Sequence, residues 1–333
     1  MTKLKLMLQL FAEMNVNTTV STDLSPEMKT YYEKELLRNA KPNLVHSQFS
    51  KKKSIPKGNG KTIEFRKFDA VEYPVDRDGN PVKIVEGVTP DGNKLKVIDV
   101  TTEISQYGDY VTLSDLLTLT AVDNNILEAT DALSNSAALV HDKLTREQMN
   151  AGTNVVYAGG ASGRSAVADK LTVTDVYKAI NVLKRNNAPK IDGDYVAIVH
   201  PDVSTDIQLD PAWRSTHEYA KPDELYDGEI GKIGGCRFVE SSNAKIWKDD
   251  TTPSGKAVYS TLFLGRDAYG EIELEGGGLQ HFVKQLGSAG TADPLNQRAT
   301  VGYKFTHAAL ILDETRIVRA ESLSEMSENA VAN

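Results

Sequence analysis

Six histidines, one cysteine and a few turns rich in carboxylates or glycines are the residues of this 333-residue chain with chemistry to offer. The histidines, His46, His141, His200, His217, His281 and His307, are scattered, and no two form a His-x-x-x-His pair. A metal site would need ligands gathered from distant elements. His200 alone follows a short apolar run, Tyr195–Val199, at the kind of strand end where catalytic groups often sit. With an acidic partner it could serve a soluble α/β hydrolase, but the chain has no Gly-x-Ser-x-Gly elbow and no Walker-type phosphate loop. Gly276-Gly277-Gly278 follows an acidic strand and reads as a flexible loop, since a phosphate cradle would want a helix start there. Asp76-Arg77-Asp78-Gly79-Asn80 resembles a calcium loop only at first glance. Its twelfth position is Gly87 where a bidentate Glu belongs, and its glycine comes at the fourth place instead of the sixth, so a hairpin turn is expected. Cys236 stands alone, which excludes an intrachain disulfide and a Cys-rich zinc centre, and reads as a small buried apolar residue in a strand. No catalytic, metal-binding or cofactor-binding residue is predicted, which favours a structural or binding role.

The elements that would position these groups follow from periodicity. The first 25 residues form a polar arm with a short apolar start. A short helix is expected from Ser25-Pro26-Glu27, with Ser25 at the N-cap and Pro26 in the first turn, to about Ala40. Ile63 and Phe65 alternate with Thr62, Glu64 and Arg66, and Ile98, Val100, Thr102 and Ile104 form a second alternating run. Between them lie Asp78-Gly79-Asn80-Pro81, Glu86-Gly87 and Pro90-Asp91-Gly92-Asn93, all turn formers. Two long strands joined by so polar a tip make an extended hairpin that cannot bury itself. Val122, Ile126, Ala129, Leu133, Ala137, Val140 and Leu144 then trace one stripe of a helix about 30 residues long, ending near Gly152. Residues 153–170 read as a Gly/Ala/Ser loop, and a helix opening at Thr174-Asp175 closes at Lys184-Arg185. An α/β module follows: strand Tyr195–Val199, a helix or turn from His200-Pro201-Asp202, strands at Arg237–Val239, Val258–Leu264 and Ile272–Leu274. The run Val301, Tyr303, Phe305, then Ala309–Leu312 and Ile317-Val318, is expected to close its sheet, and the tail after Ala320 to fray.

Size and composition admit about two domains with a real core. The net charge of −8 argues against a dedicated nucleic-acid binder, yet it is unevenly spread. From Lys29 to Lys67 eleven basic residues face three acidic ones, a local +8 that leaves −16 for the rest. A basic stretch on an acidic body suits contact with nucleic acid or with an acidic surface of a neighbouring copy. No apolar run is long enough to span a bilayer, and the lysines and apolar residues of the first twelve positions, broken by Gln9, lack a clear cleavage site.

The order of elements looks like the Hong Kong 97-type fold of tailed-phage capsid proteins. Asp293-Pro294-Leu295-Asn296-Gln297-Arg298-Ala299-Thr300-Val301-Gly302-Tyr303-Lys304 resembles the near-C-terminal signature of the capsid family typified by coliphage N-four. So do Tyr259–Gly270 and Ile317–Glu321, while Leu6–Ala12 is similar to openings common among structural proteins of phages of Gram-positive hosts. The resemblance spans nearly the whole chain. It implies an α+β fold divided into an N-terminal arm and short helix (1–45), an E-loop hairpin (46–113), a P-domain with a spine helix (114–190), an α/β A-domain (191–292), and a returning P-domain strand with the C-terminal tail (293–333). It further implies a major capsid protein, not an enzyme, with no cofactor and no membrane. Copies would close as pentamers and hexamers into an icosahedral head around double-stranded DNA held without sequence specificity. Its partners would be a portal complex and a separate scaffolding protein, its place the virion capsid and, during assembly, the host cytoplasm. The expected inter-subunit contacts are Lys51, Lys52, Lys53, Lys61, Phe65, Lys67, Asp78, Gly79, Pro90 and Asp91, and Gly58, Gly60, Gly79 and Gly87 would let the hairpin tilt. An encapsulin-like compartment shell, a phage tail or decoration protein, and the hydrolase built on His200 are the alternatives.

Overall fold

The computed structural model describes residues 16–17, 45–58, 60–68, 82–83, 86–87, 94–120, 125–213, 229–253, 255–288 and 293–333. The helix expected at 26–40, the turn at Asp76–Asn80 and Val122 of the helical stripe lie outside them. In chain order the first elements are β1 (Val16–Asn17), β2 (Lys51–Ile55), β3 (Thr62–Phe68), β4 (Val97–Glu103), β5 (Ser105–Ser114), α1 (Asp115–Thr120) and α2 (Asn125–Met149). Then come β6 (Val155–Tyr157), α3 (Val173–Arg185), β7 (Tyr195–Val199), α4 (Pro201–Gln208), β8 (Glu229–Ile233), β9 (Cys236–Glu240) and β10 (Ile246–Trp247). The last are β11 (Val258–Leu264), β12 (Tyr269–Leu274), β13 (Gln280–Lys284), β14 (Arg298–Ile311) and β15 (Ile317–Ser322).

These strands form two large sheets and a ribbon. The first sheet runs β1-β5-β14-β12-β2, with β13 also on β14. The second runs β6-β15-β11-β7-β9-β8, with β10 also on β11. Among the described residues, strands β3 and β4 pair only with each other. The sequence reading placed the whole final run in one sheet. Instead β14 is the central strand of the first sheet, and the chain turns through Glu314–Arg316 to add β15 to the second. The alternation of Val301, Tyr303 and Phe305 is one face of β14, and that face packs on Leu133 and Ala137 of α2. Helix α2 has 25 described residues, a stretch about 37 Å long, and the stripe's first position, Val122, lies outside the described residues.

The second sheet is covered by α3, whose Val176, Ala179, Ile180 and Leu183 pack on Tyr195, Ala197, Phe238 and Phe263. Its N-cap is Thr172, two residues before the expected start, because the Thr172 hydroxyl accepts the Asp175 N–H. Strand β7 is buried along its whole length, as a strand between two neighbours and under a helix must be. The expected loop at 153–170 contains β6, which pairs parallel with Arg319–Glu321 of β15, and two short 3-10 turns. The expected frayed tail is also corrected. Strand β15 continues to Ser322, Leu323 is buried, and the Asn333 side chain accepts from Ile246 N and donates to Ala244 O. Met149, Ile198, Leu262, Leu264, Tyr269 and Ile317 form a cluster that joins the spine helix to both sheets.

Candidate assembly surface and an internal polar centre

Strands β3 and β4 pair antiparallel from Thr62↔Glu103 to Phe68↔Val97. Opposed residues share a face, so Ile63, Phe65, Val100, Thr102 and Ile98 line one side of the ribbon, and Glu64, Arg66, Asp99 and Glu103 the other. At its root the apolar side packs on the chain's own body: Ile63, Phe65 and Val100 sit against Ile55, Ile104, Ile272 and Leu310. Away from the root this cover fades. On that side Ile104 is 9% exposed and Ile98 38%; Val97, which the register sets on the opposite side with Arg66 and Asp99, is 44% exposed, and Leu95 and Val82, outside the paired strands, are 60% and 48% exposed.

Lys51, Lys52 and Lys53 lie on β2, which pairs parallel with β12 and forms the sheet's edge. All three are exposed, and lysines on an edge strand discourage further strands from adding there. Lys51 reaches Asp267 at 3.6 Å, and the Lys53 ammonium lies 4.9 Å from the centre of the Phe65 ring. Lys61 pairs with Glu103 across the ribbon. Arg66 bonds Glu64 at 3.1 Å and approaches Asp99 at 3.8 Å, and that hydrogen bond is the main reason the Glu64 carboxyl is held low. Part of the basic stretch is therefore balanced within the ribbon itself. The register sets Lys67 opposite Ile98. Asp78, Gly79, Pro90 and Asp91 lie outside the described residues. The arm is described only at Val16–Asn17, where it runs parallel to β5 of its own chain.

His200 is not arranged as a catalytic base. Its Nδ1 accepts the Asp202 N–H at 3.2 Å as the N-cap of α4, and its ring lies against Tyr259. Burial pushes its imidazole below the ordinary value, against the pull of Asp202 and Glu240. Cys236 is buried in β9, and burial pushes its thiol far up. Gly276-Gly277-Gly278 joins β12 to β13 and precedes a strand, not a helix.

The sequence reading missed a cluster that the fold assembles where α2 crosses the first sheet. His141 and Thr145, one turn apart on α2, face Glu271 of β12 and His307 of β14. One ligand atom each from His141, Glu271 and His307 lies within 4.8 Å of the others. Thr145 donates to Glu271 Oε1 at 2.7 Å and lies 3.2 Å from His307 Nε2. Having one proton, that hydroxyl must accept from Nε2–H, which leaves His307 Nδ1 a bare lone pair; it is buried and unpartnered. Burial, helped by His141, pushes the His307 imidazole down to about 3. Ser50, next to β2, donates to Glu271 Oε2 at 2.8 Å, and the Ser47 hydroxyl lies 3.2 Å from His141 Nδ1. Beside this centre the buried His46 ring bonds Asp142 at 2.8 Å. Burial alone would raise the Asp142 carboxyl, but the bonds from His46 and Asn243 hold it low.

Among the described residues no helix is long and apolar enough to cross a membrane. A search of curated proteins finds no match. Solved structures do match across nearly the full length. The capsid of Ralstonia phage GP4 aligns with 93% of this chain and 98% of its own at a TM-score of 0.68 and 14% identity. The capsid of cyanophage P-SCSP1u gives 93%, 97%, 0.66 and 13%, and that of cyanophage Pam1 92%, 98%, 0.65 and 14%. At such identities the likeness speaks for the fold, the Hong Kong 97-type α+β fold. A model of the family described as phage capsid protein matches residues 97–320, from the second strand of the ribbon to Ala320 within β15. Since that match takes in well over half of the sequence, this chain belongs to the phage capsid protein family.

Proposed function

We propose that the chain is the major capsid protein of a tailed phage. Its copies associate as pentamers and hexamers and close into an icosahedral head around double-stranded DNA. The observation that carries this reading is the loss of cover on the ribbon's apolar side, from Ile104 at 9% exposed at its root to Ile98 at 38%, with Leu95 beyond the paired strand at 60%. An apolar face that outruns its own body is stabilised by a second body, and in a shell of identical copies that body is the neighbouring subunit. The ribbon's ion pairs are exposed and screened by salt, so they orient the contact more than they tighten it. The acidic balance of the chain suits a container whose DNA must slide during filling. A separate scaffolding protein, a portal complex, a passage through the host cytoplasm and the five-part division of the chain belong to the same proposal. So do the inter-subunit roles of Lys51, Lys52, Lys53, Lys61, Phe65 and Lys67.

Expression with and without a co-expressed scaffolding protein, followed by electron cryo-microscopy, tests the proposal. Closed shells with residues 82–98 on an adjacent subunit are expected. A monomer under every assembly condition, or a ribbon folded back on its own chain within the particles, overturns it.

A further inference from the structure

Glu271 poses a problem of charge. It is 4% exposed, and among the described residues its carboxylate bonds the hydroxyls of Ser50 and Thr145. Among the described residues no lysine or arginine pairs with it. A buried carboxylate is costly unless a cation compensates it. Its ionisable neighbours are two imidazoles, and His307, 1% exposed, has its Nδ1 lone pair without a donor. A buried anion with two imidazoles, one of them with an idle lone pair, is the donor set that a borderline-soft divalent cation takes.

Geometry agrees with the chemistry. Donor atoms around a tetrahedral ion at about 2.0–2.1 Å stand roughly 3.4 Å apart. One nitrogen of each imidazole and one oxygen of Glu271 already lie within 4.8 Å of one another, so small side-chain rotations bring three donors to that spacing. His141 is partly exposed and lines a cleft of about 270 Å³ with Glu273, Leu279, Phe305 and Thr306, which gives an ion a path inward. Glu273, with Oε1 at 3.9 Å from His141 Nε2, stands at the rim for a fourth position. We propose that His141, Glu271 and His307 form a site for one divalent cation of the zinc class, pinning the spine helix to β12 and β14. Through Ser47 and Ser50 the bound ion would also fix the segment from which the ribbon springs. The inference concerns the folded subunit and stands apart from how subunits assemble.

The full-length chain without a polyhistidine tag, stripped with chelator, is titrated with Co²⁺ and followed by visible absorption, with Zn²⁺ as competitor. One equivalent is expected, with ligand-field bands that Zn²⁺ abolishes. His141→Ala and Glu271→Gln should each weaken Co²⁺ binding tenfold or more while the circular dichroism stays unchanged. No saturable Co²⁺ binding, or equal affinity in both variants, overturns the site. Should either variant misfold, zinc-edge absorption of the unaltered loaded chain decides. Two imidazoles and a carboxylate oxygen support the site, and a shell with fewer imidazoles overturns it.

Discussion

Leu95→Ser separates burial within one subunit from burial between subunits. Complete burial of a leucine is worth about 1.5–3 kcal/mol. Leu95 is 60% exposed in the single chain, so the share left for a neighbour to cover is about 1–2 kcal/mol, or roughly a factor of ten in each association constant. In the isolated subunit the same change should cost only the smaller part already covered there, about 0.5–1 kcal/mol. Two assays read the two effects: thermal melting of the unassembled chain, and the threshold concentration for shell formation by sedimentation velocity. The expected result is a nearly unchanged melting temperature with an assembly threshold raised about tenfold. Phe65→Ala is the internal comparison. Phe65 packs on Ile55 and Ile272 at the ribbon's root, so its loss should lower the subunit's own melting temperature. An unchanged threshold for Leu95→Ser would refute the reasoning, as would a fall in melting temperature equal to that of Phe65→Ala.

Glu321 is fully buried between Arg164, which grips it with two bonds of 2.8 and 2.9 Å, and Arg319 at 2.8 Å, so Glu321→Ala should cost about 3–5 kcal/mol in denaturant melts. His200, held below its ordinary value by burial, binds fewer protons folded than unfolded. Its contribution to stability is therefore fully present above the unfolded value of about 6.5 and lost as pH falls through the lower folded value. Hydrogen exchange of residues 200–208 should speed up over that window, and His200→Asn, which keeps a cap without titrating, should remove that dependence. Cys236 should resist thiol reagents until the chain unfolds, and rapid labelling of the native protein would contradict its burial.

Most strands were legible because their alternation survives in the structure. Ile63, Phe65 and Val100 do face one side, and Val258–Leu264 is a strand to the residue. The division into two sheets was not legible, because alternation reports which face of β14 is buried and not which strand lies beside it. The tail misled for a different reason: its polar residues find partners in the backbone near β10, and composition says nothing about that. The histidine centre had a faint signature. His307 continues the Val301, Tyr303, Phe305 alternation, and His141 continues the Leu133, Ala137 spacing by one more turn. A histidine extending two apolar stripes that face each other is informative only once the two elements are known to touch. The contacts expected at Asp78, Gly79, Pro90 and Asp91 rest on turn chemistry and the resemblance alone.

The pairing of Ser105 with His307 joins residues about two hundred positions apart, and every other β5–β14 rung is nearly as distant. Closing so long a loop is slow. During translation the spine helix emerges well before the strand that covers its apolar stripe. A nascent chain accordingly cannot present a finished central sheet until synthesis has passed Ile311. The β3–β4 ribbon is complete long before β14 exists, whereas the central sheet, and after it β15 of the second sheet, must wait for the end of synthesis.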